Sequence, residues 1–511
     1  VSGAPLPPLA GSQRAFATVM LSLANFMVVL DMTIANVSVP HIAGSLAVSS
    51  SQGTWIITSY AVAEAIIVPL TGWLTHRFGT VRLFVSCILG FALASLLCAW
   101  STSLAMLVAA RVIQGLCGGP IMPLSQTLLL QSYPPEKSGQ ALGSWAVTTL
   151  LAPIAGPVLG GWISDNIAWE WIFYINLPVG IVGAAMIWSI YKSRESERVR
   201  ERIDYVGLAL LVVWVGCLQL VLDKGRELDW FGSPLIVGLA LASAVAFGFF
   251  LIWEATDEKP VVDLRVFRNR NFTSGVFSLS IIFGTFFGYV VLLPLWLQSS
   301  LGYTALWAGL TLAPMGVFAI LMAPVVGATL SRVDPRLYAT FAVLVFATVF
   351  FWRTHLTPAP AFRDVMLPQL MVGLGLSTMF LPLTALAMAE IEPRQMAAAA
   401  GLQNFVRTLF GAFGTALSTS YWENGISRHH AALVENVTNY DPATREFLGG
   451  AEQVAGSGAG AALVDQLVNQ QAAVLALRDF FLLGAVLVLL MSPLIWLARR
   501  PKGPVDITQA H

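Results

Sequence analysis

Pro69-Leu-Thr-Gly72-Trp-Leu-Thr-His76-Arg77 returns 255 residues later as Pro324-Val-Val-Gly327-Ala-Thr-Leu-Ser-Arg332, with proline, glycine and arginine at the same spacing. Pro123-Leu-Ser likewise returns as Pro382-Leu-Thr, and Pro135, Gly143 and Gly156 recur at a constant offset of 258 as Pro393, Gly401 and Gly414. Single matches of this kind arise by chance among residues common in membranes. Several in one order, at nearly one offset, mark a duplicated unit. The chain therefore reads as two parallel-related halves, the arrangement expected of a transporter whose halves rock about a shared site near the middle of the bilayer.

Composition says what surrounds those halves. Of the 511 residues, 56% are hydrophobic and 11% charged, and the mean hydropathy is +0.73. An ordinary soluble domain has about a quarter of its residues charged. So much apolar surface needs a bilayer, and a helix needs about 20 mostly apolar residues to cross one. Fourteen spans are expected, near 16–39, 53–74, 83–101, 105–130, 139–163, 170–191, 204–222, 234–254, 272–298, 306–330, 337–353, 365–389, 397–423 and 476–498. The expected fold is an all-α membrane protein with a six-helix N-terminal half (1–192). Cytoplasmic linkers and two inserted helices follow (193–271), then a six-helix C-terminal half (272–511) carrying a long outer loop (425–475).

Orientation follows from the basic residues. Lys192, Arg194, Arg198, Arg200 and Arg202 cluster in one connection, and Lys259, Arg265, Arg268 and Arg270 in another on the same side. By the positive-inside pattern, that side and both termini are expected to be cytoplasmic. The first fifteen residues lack the layout of a signal peptide, so the first apolar run is expected to be a retained span. A balance of 28 basic and 28 acidic residues argues against a nucleic-acid partner. The four cysteines (Cys87, Cys98, Cys117, Cys217) lie in apolar runs and form no CxxC pattern. No Walker A, Gly-x-Ser-x-Gly or His-Glu-x-x-His sequence is present, which argues against an enzyme.

Charges within hydrocarbon are costly and point to function. Asp31 near the outer end of span 1 and Arg111 near the outer start of span 4 fall at similar depth, because the two spans run in opposite directions. A cavity-facing contact is expected there. Asp31 is the candidate proton carrier, with Arg111 modulating its proton exchange; the alternative is a permanent bridge that only sets packing. Gln114, one turn from Arg111, could join the same network or simply bond between helices. Glu64 in span 2 is a candidate second proton site or an attractor of cationic drugs, or else a carboxyl satisfied by a neighbouring helix. Arg407, preceded by Gln403 and Asn404, reads as the only intramembrane base of the second half; it could pair with an acid or attract an anion. His429–His430 alone makes a poor metal site.

Several motifs resemble one known family. Leu30-Asp31-Met-Thr33-Ile-Ala-Asn36-Val-Ser-Val-Pro40 is similar to the Asp-x-Thr-x-x-Asn-x-x-x-Pro signature of the fourteen-span drug/proton antiporters, a branch of the major facilitator superfamily. Gly72-Trp-Leu-Thr-His76-Arg77-Phe-Gly79 resembles the superfamily's first cytoplasmic loop, and Arg111-Val-Ile-Gln114-Gly115 its fourth-span motif. Gly156-Pro157-Val-Leu-Gly160-Gly161 resembles the antiporter motif of the fifth span, and Trp171-Ile-Phe-Tyr-Ile-Asn176-Leu-Pro178 the sixth-span signature. The resemblance runs along essentially the whole chain and is nearest to the EmrB-type exporters.

It implies a bacterial inner-membrane antiporter that exports hydrophobic and aromatic drugs. The proton gradient would drive it, with no cofactor, as the pump of a tripartite system. Its implied partners are a periplasmic membrane-fusion adaptor and an outer-membrane channel. A proton-coupled metabolite symporter is the alternative, although symporters of this fold generally lack the Gly156–Gly161 motif. Where the family has Asp in the loop motif this chain has His76, which puts the usual cytoplasmic latch in question; Arg77 would carry more of the gating, or His76 would add pH sensitivity near neutrality. Phe26, Asn36, Trp145, Phe287, Met379 and Asn404 are candidate cavity-lining residues, from their place in helices that the resemblance puts around the cavity. In the outer loop, Gly449–Ala462 is expected to be flexible. Ala461–Leu477 reads as an amphipathic helix leading into span 14, a candidate adaptor contact.

Overall fold

The computed structural model describes residues 8–9, 11–134, 137–196, 198, 204–257, 260, 262–330, 332–392, 395–435, 437, 442, 444–446, 448 and 459–500. Among them every regular element is a helix. That is what lipid demands, since a helix satisfies its own backbone donors and acceptors without water.

Among the described residues, twelve helices are long and apolar enough to cross a membrane. They are spans 1 (Gly11–Val39), 2 (Trp55–Phe78), 3 (Thr80–Ala99), 4 (Leu104–Gln131), 6 (Trp171–Tyr191), 7 (Tyr205–Lys224) and 8 (Pro234–Thr256), then 9 (Arg270–Leu301), 10 (Trp307–Thr329), 11 (Pro335–Arg353), 12 (Phe362–Met388) and 14 (Gly460–Trp496). Helices Ser138–Asn166 and Met396–Val434 stand at the expected places of spans 5 and 13.

Local chemistry sets the ends and breaks. Asp204, Asn269 and Asp334 cap spans 7, 9 and 11, each accepting from backbone amides of the first turn. Between spans 2 and 3 the chain turns at Gly79, whose φ of 88° admits a side chain only with strain. The linker after span 6 returns to this turn: Glu195 accepts from the amides of Val81 (2.9 Å) and Arg82 (3.1 Å). A carboxylate there satisfies the orphan donors of span 3 and faces its positive end. Pro69 lies in a short 3₁₀ stretch, Val68–Leu70, that interrupts span 2, and Pro120 separates the two segments of span 4.

The two halves pack alike. Span 1 lies along span 5, and span 9 along span 13; span 4 lies between 2 and 3, and span 12 between 10 and 11. Span 6 rests on 1 and 3, and span 14 on 9 and 11. The halves meet where span 5 packs on span 10 and span 2 on span 13. Spans 7 and 8 form a hairpin beside that second seam, and Trp214 of span 7 stacks edge-on against Phe405 of span 13 at 5.7 Å.

At the long outer connection the structure differs from the expected loop. Helix continues without a break through Val434, residues 444–446 are helical as well, and the helix of span 14 starts at Ala459, so 425–434 extend span 13, and Ala461–Leu477 is helix leading into span 14, as expected. The physical reason is mutual packing: Trp422 donates to the carbonyl of Ala473 (3.0 Å), and Arg428 pairs with Asp479 (2.9 Å). Part of the expected flexible stretch Gly449–Ala462 lies outside the described residues.

Candidate functional site

Asp31 and Arg111 meet inside the first half. Arg111 Nη1 donates to Asp31 Oδ2 at 2.6 Å, and neither side chain has exposed surface. Span 4 runs antiparallel to span 1, so residues near their outer ends share one depth. Gln114, one turn along, donates to Asp31 Oδ1 (3.0 Å) and accepts from Arg111 (2.7 Å). Asn176 at the start of the long helix of span 6 donates to the same Oδ1 at 2.6 Å. Ser95 of span 3 accepts from both amides, at 2.7 and 3.2 Å. Arg111 Nε donates to the carbonyl of Ile56 in span 2 (3.0 Å), and the guanidinium lies over the Tyr60 ring at 4.3 Å. Five spans thus converge on one carboxylate and one guanidinium.

The pair was expected to face a cavity, but it is sealed within the bundle of the first half. Two small residues make the seal possible. A side chain on Gly156 would strike Thr33, and one on Gly160 would strike the carbonyl of Ile34, so span 5 closes directly over span 1 beside Asp31. Pro157 belongs to the same helix, its side chain outside the described residues, and Gly161 is buried.

The second half carries a network of different chemistry at matching positions. Asp31 and Arg111 correspond, 258 residues on, to Tyr289 and Gln369, and Arg353 ends span 11, the counterpart of span 3. The Tyr289 hydroxyl donates to Gln369 and accepts from Arg353 Nη2 (3.3 Å); Arg353 also donates to the carbonyl of Val365 at 3.1 Å. Arg353 lies over Tyr289 and Phe481, and all three polar residues are buried. Arg353 corrects the expectation that Arg407 is the only intramembrane base of this half. At the end of an apolar run it reads as a boundary residue, and only packing shows that it points inward.

Arg407 is buried at the seam between halves. Its Nη2 contacts Met122 Sδ of span 4 at 2.7 Å, and it stacks on Phe283 and Phe380 at 5.1 and 5.2 Å. Trp145 of span 5, held by Ser125 (2.9 Å), meets the same Phe380 at 6.0 Å. Met379 beside it is fully buried, so Phe380 is the ring of span 12 that reaches across. Phe287 is half-buried and stacks on Phe283 at 4.5 Å. Phe26 and Glu64 are half-buried, and Asn36 is exposed and outside these networks. Asn404 bonds to its own helix at Ala400 (2.9 Å).

The loop motif lies where the halves close. A side chain on Gly72 would meet Ala398 of span 13 at 3.0 Å, and one on Gly143 would meet the carbonyl of Ala323 at the same distance. Arg77 lies near the Trp73 ring, 5.9 Å away, and His76 precedes it at the end of span 2. His429 and His430 bind Asp479 (2.8 Å) and Asp465 (3.2 Å), and no cluster of three or more metal-ligating side chains occurs among the described residues.

Residues 21–415 match the Major Facilitator Superfamily profile. The Multidrug export protein EmrB of Haemophilus influenzae is 47% identical over 499 residues, covering 97% of this chain and 98% of that protein. Its namesake in Escherichia coli strain K12 is 44% identical over 503 residues, covering 97% of each. The Fatty acid resistance protein FarB of Neisseria gonorrhoeae is 43% identical over 496 residues, covering 97% of this chain and 98% of that protein. The crystal structure of the human organic anion transporter MFSD10 has the same fold at 15% identity, with a TM-score of 0.55 over 94% of this chain and 100% of that one. Duplicated halves, the span pattern and full-length similarity agree: this chain belongs to the Major Facilitator Superfamily and is a full-length relative of the EmrB proteins.

Proposed function

We propose that this protein is a proton-coupled antiporter that exports hydrophobic and aromatic drugs across a bacterial inner membrane. The observation that carries the reading is Asp31, a buried carboxylate that accepts from Arg111, Gln114 and Asn176. To take up a proton it must release donors that belong to spans 4 and 6, so protonation and helix movement are linked. The names of the EmrB relatives support the export direction.

Substrate would bind between the halves, near the aromatic surface of Trp145, Phe380, Phe283 and Phe287 with Arg407 beside it. Such a surface accepts varied flat apolar compounds without strict hydrogen-bond demands. Both termini would lie in the cytoplasm. The helical extensions of spans 13 and 14 would project into the periplasm, toward an adaptor and an outer-membrane channel. Liposomes containing only this protein test the core of the reading. An imposed proton gradient should move an aromatic dye, and dye movement should shift internal pH. Dye movement that required ATP and ignored the gradient would overturn it.

A further inference from the structure

Glu64 and Arg407 come from opposite halves and face each other just beyond the point where the halves close. Spans 2 and 13 run antiparallel and touch at two places: Gly72 against Ala398, and Gly401 against the carbonyl of Val68 at 3.2 Å. Glu64 lies one turn from Val68, and Arg407 lies six residues from Gly401. At 1.5 Å per residue both stand about 6–9 Å past the contact, on the same side of it. Glu64 and Arg407 are thus opposite charges of the two halves at one level of this seam. No ion-pair contact joins them among the described residues. Arg407 Nε has no hydrogen-bond partner, although the residue is 97% buried. Its Nη2 rests on a thioether, a weak acceptor for a guanidinium. Span 2 is interrupted by the 3₁₀ turn Val68–Leu70 directly below Glu64, a place where the helix can bend.

We infer that Glu64 and Arg407 form a proton-sensitive tie between the two halves. An ionised Glu64 attracts Arg407 across the seam and holds the end with the loop motif closed. A protonated Glu64 loses that attraction, and the seam loosens. Other groups surround Glu64: Tyr60 on its own helix, Arg111 on span 4, and Asp31 on span 1. Asp223 and Lys224 of span 7 meet span 2 further out, where Lys224 bonds Thr54 at 2.5 Å. Arg111 bonds to Asp31 and lies in Glu64's own half, and Lys224 bonds to Thr54 and Glu227 (2.9 Å), so Arg407 is the base that faces Glu64 from the other half. This inference rests on the antiport reading for its purpose, since a tie released by a proton supplies the step that lets the halves separate.

The test is an equilibrium distance measurement on the full chain in lipid nanodiscs. Spin labels go on Phe78→Cys and Leu337→Cys, exposed residues of the two halves at the closed end, with Cys117 and Cys217 replaced by Ser. At alkaline pH the closed distance should dominate, and acidification should lengthen it. Glu64→Gln and Arg407→Gln should each raise the open-to-closed ratio by about tenfold at alkaline pH, as expected for two charges coupled across the seam, and the double variant should add nothing further. Unchanged single variants, or a double variant whose effect is the product of the singles, would overturn the tie. Should a glutamine variant fail to fold, Glu64→Asp and Arg407→Lys replace it; an intermediate ratio is expected, and an unaltered one overturns the inference. Dye–proton exchange by Asp31→Asn reports separately on the antiport reading, because the distance measurement needs no transport.

Discussion

Tyr289 holds in the second half the place that Asp31 holds in the first. The two lie 258 residues apart on corresponding spans, and each is the buried centre of a polar network formed with spans of its own half. One centre is a carboxylate beside an arginine, and the other is a phenol beside an arginine. A phenol gives up its proton only near pH 10 in water, far above physiological pH. The duplicated fold thus carries readily exchangeable proton chemistry at this position in one half only. The other half has a fixed cation held by ring faces and carbonyls.

Asp31→Asn keeps the shape and the hydrogen bonds to Arg111 but removes the exchangeable charge. Uphill dye transport in liposomes should fall to the level of empty liposomes while dye binding persists. Uphill transport retained by this variant would remove Asp31 from the coupling.

Arg111→Ala and Asn176→Ala each take a donor from Asp31. The first breaks a buried pair and should destabilise by about 3–5 kcal/mol. The second should cost about 1–3 kcal/mol, for one lost hydrogen bond to a charged group. Both should move the pH–rate profile of dye–proton exchange to higher pH, Arg111→Ala further, because fewer donors favour the protonated carboxyl. Profiles identical to wild type would reduce the network to packing.

Arg353→Gln probes the matching network. Its buried guanidinium has two nitrogens without partners, so its loss should change stability by roughly 1–3 kcal/mol in either direction. The pH–rate profile should stay in place. A shift as large as that of Arg111→Ala would contradict the assignment of proton chemistry to the first half alone.

Asp334 gives a pH dependence outside the spans. Burial pushes its carboxyl up, but hydrogen bonds from Arg336 and the charges of Arg336 and Arg500 outweigh this and hold it below the usual carboxylate range. A group depressed on folding stabilises above its unfolded pKa, and that contribution disappears as pH falls through the folded value. Asp334→Ala should lower apparent stability by about 1 kcal/mol at neutral pH, the usual cost of a lost helix cap. The gap to wild type should narrow in acid. A gap that widened in acid would contradict the depressed carboxyl.

The outer connection can be cut more narrowly than the loop the sequence suggests, since span 13 continues as helix through Val434 and the expected helix over 461–477 is present. Replacing 436–458 with a short flexible linker should spare dye–proton exchange in liposomes. In cells with an outer membrane, it should abolish drug resistance and co-purification with an adaptor. Equal loss in both settings would assign the segment to folding.

The sequence by itself determined the membrane class, the duplication and the depth of the main charges. Apolar run length, the repeat of Pro69-x-x-Gly72 at Pro324-x-x-Gly327, and the opposite directions of spans 1 and 4 are one-dimensional properties. They carry Asp31, Arg111 and Gln114 to one level of the bilayer. Helix azimuth is not one-dimensional in this chain, because helices apolar all round have no polar stripe to show which face turns inward. Only the tertiary structure therefore decided that Asn176 and Ser95 complete the Asp31 network, that Phe380 rather than Met379 meets Trp145, and that Asn36 turns away from both networks. It also decided that Arg353 points into the second half and that Glu195 returns from a distant linker to cap span 3. These outcomes depend on how neighbouring helices rotate to bring small residues such as Gly156 and Gly160 into contact. That rotation is settled by packing among all the spans at once.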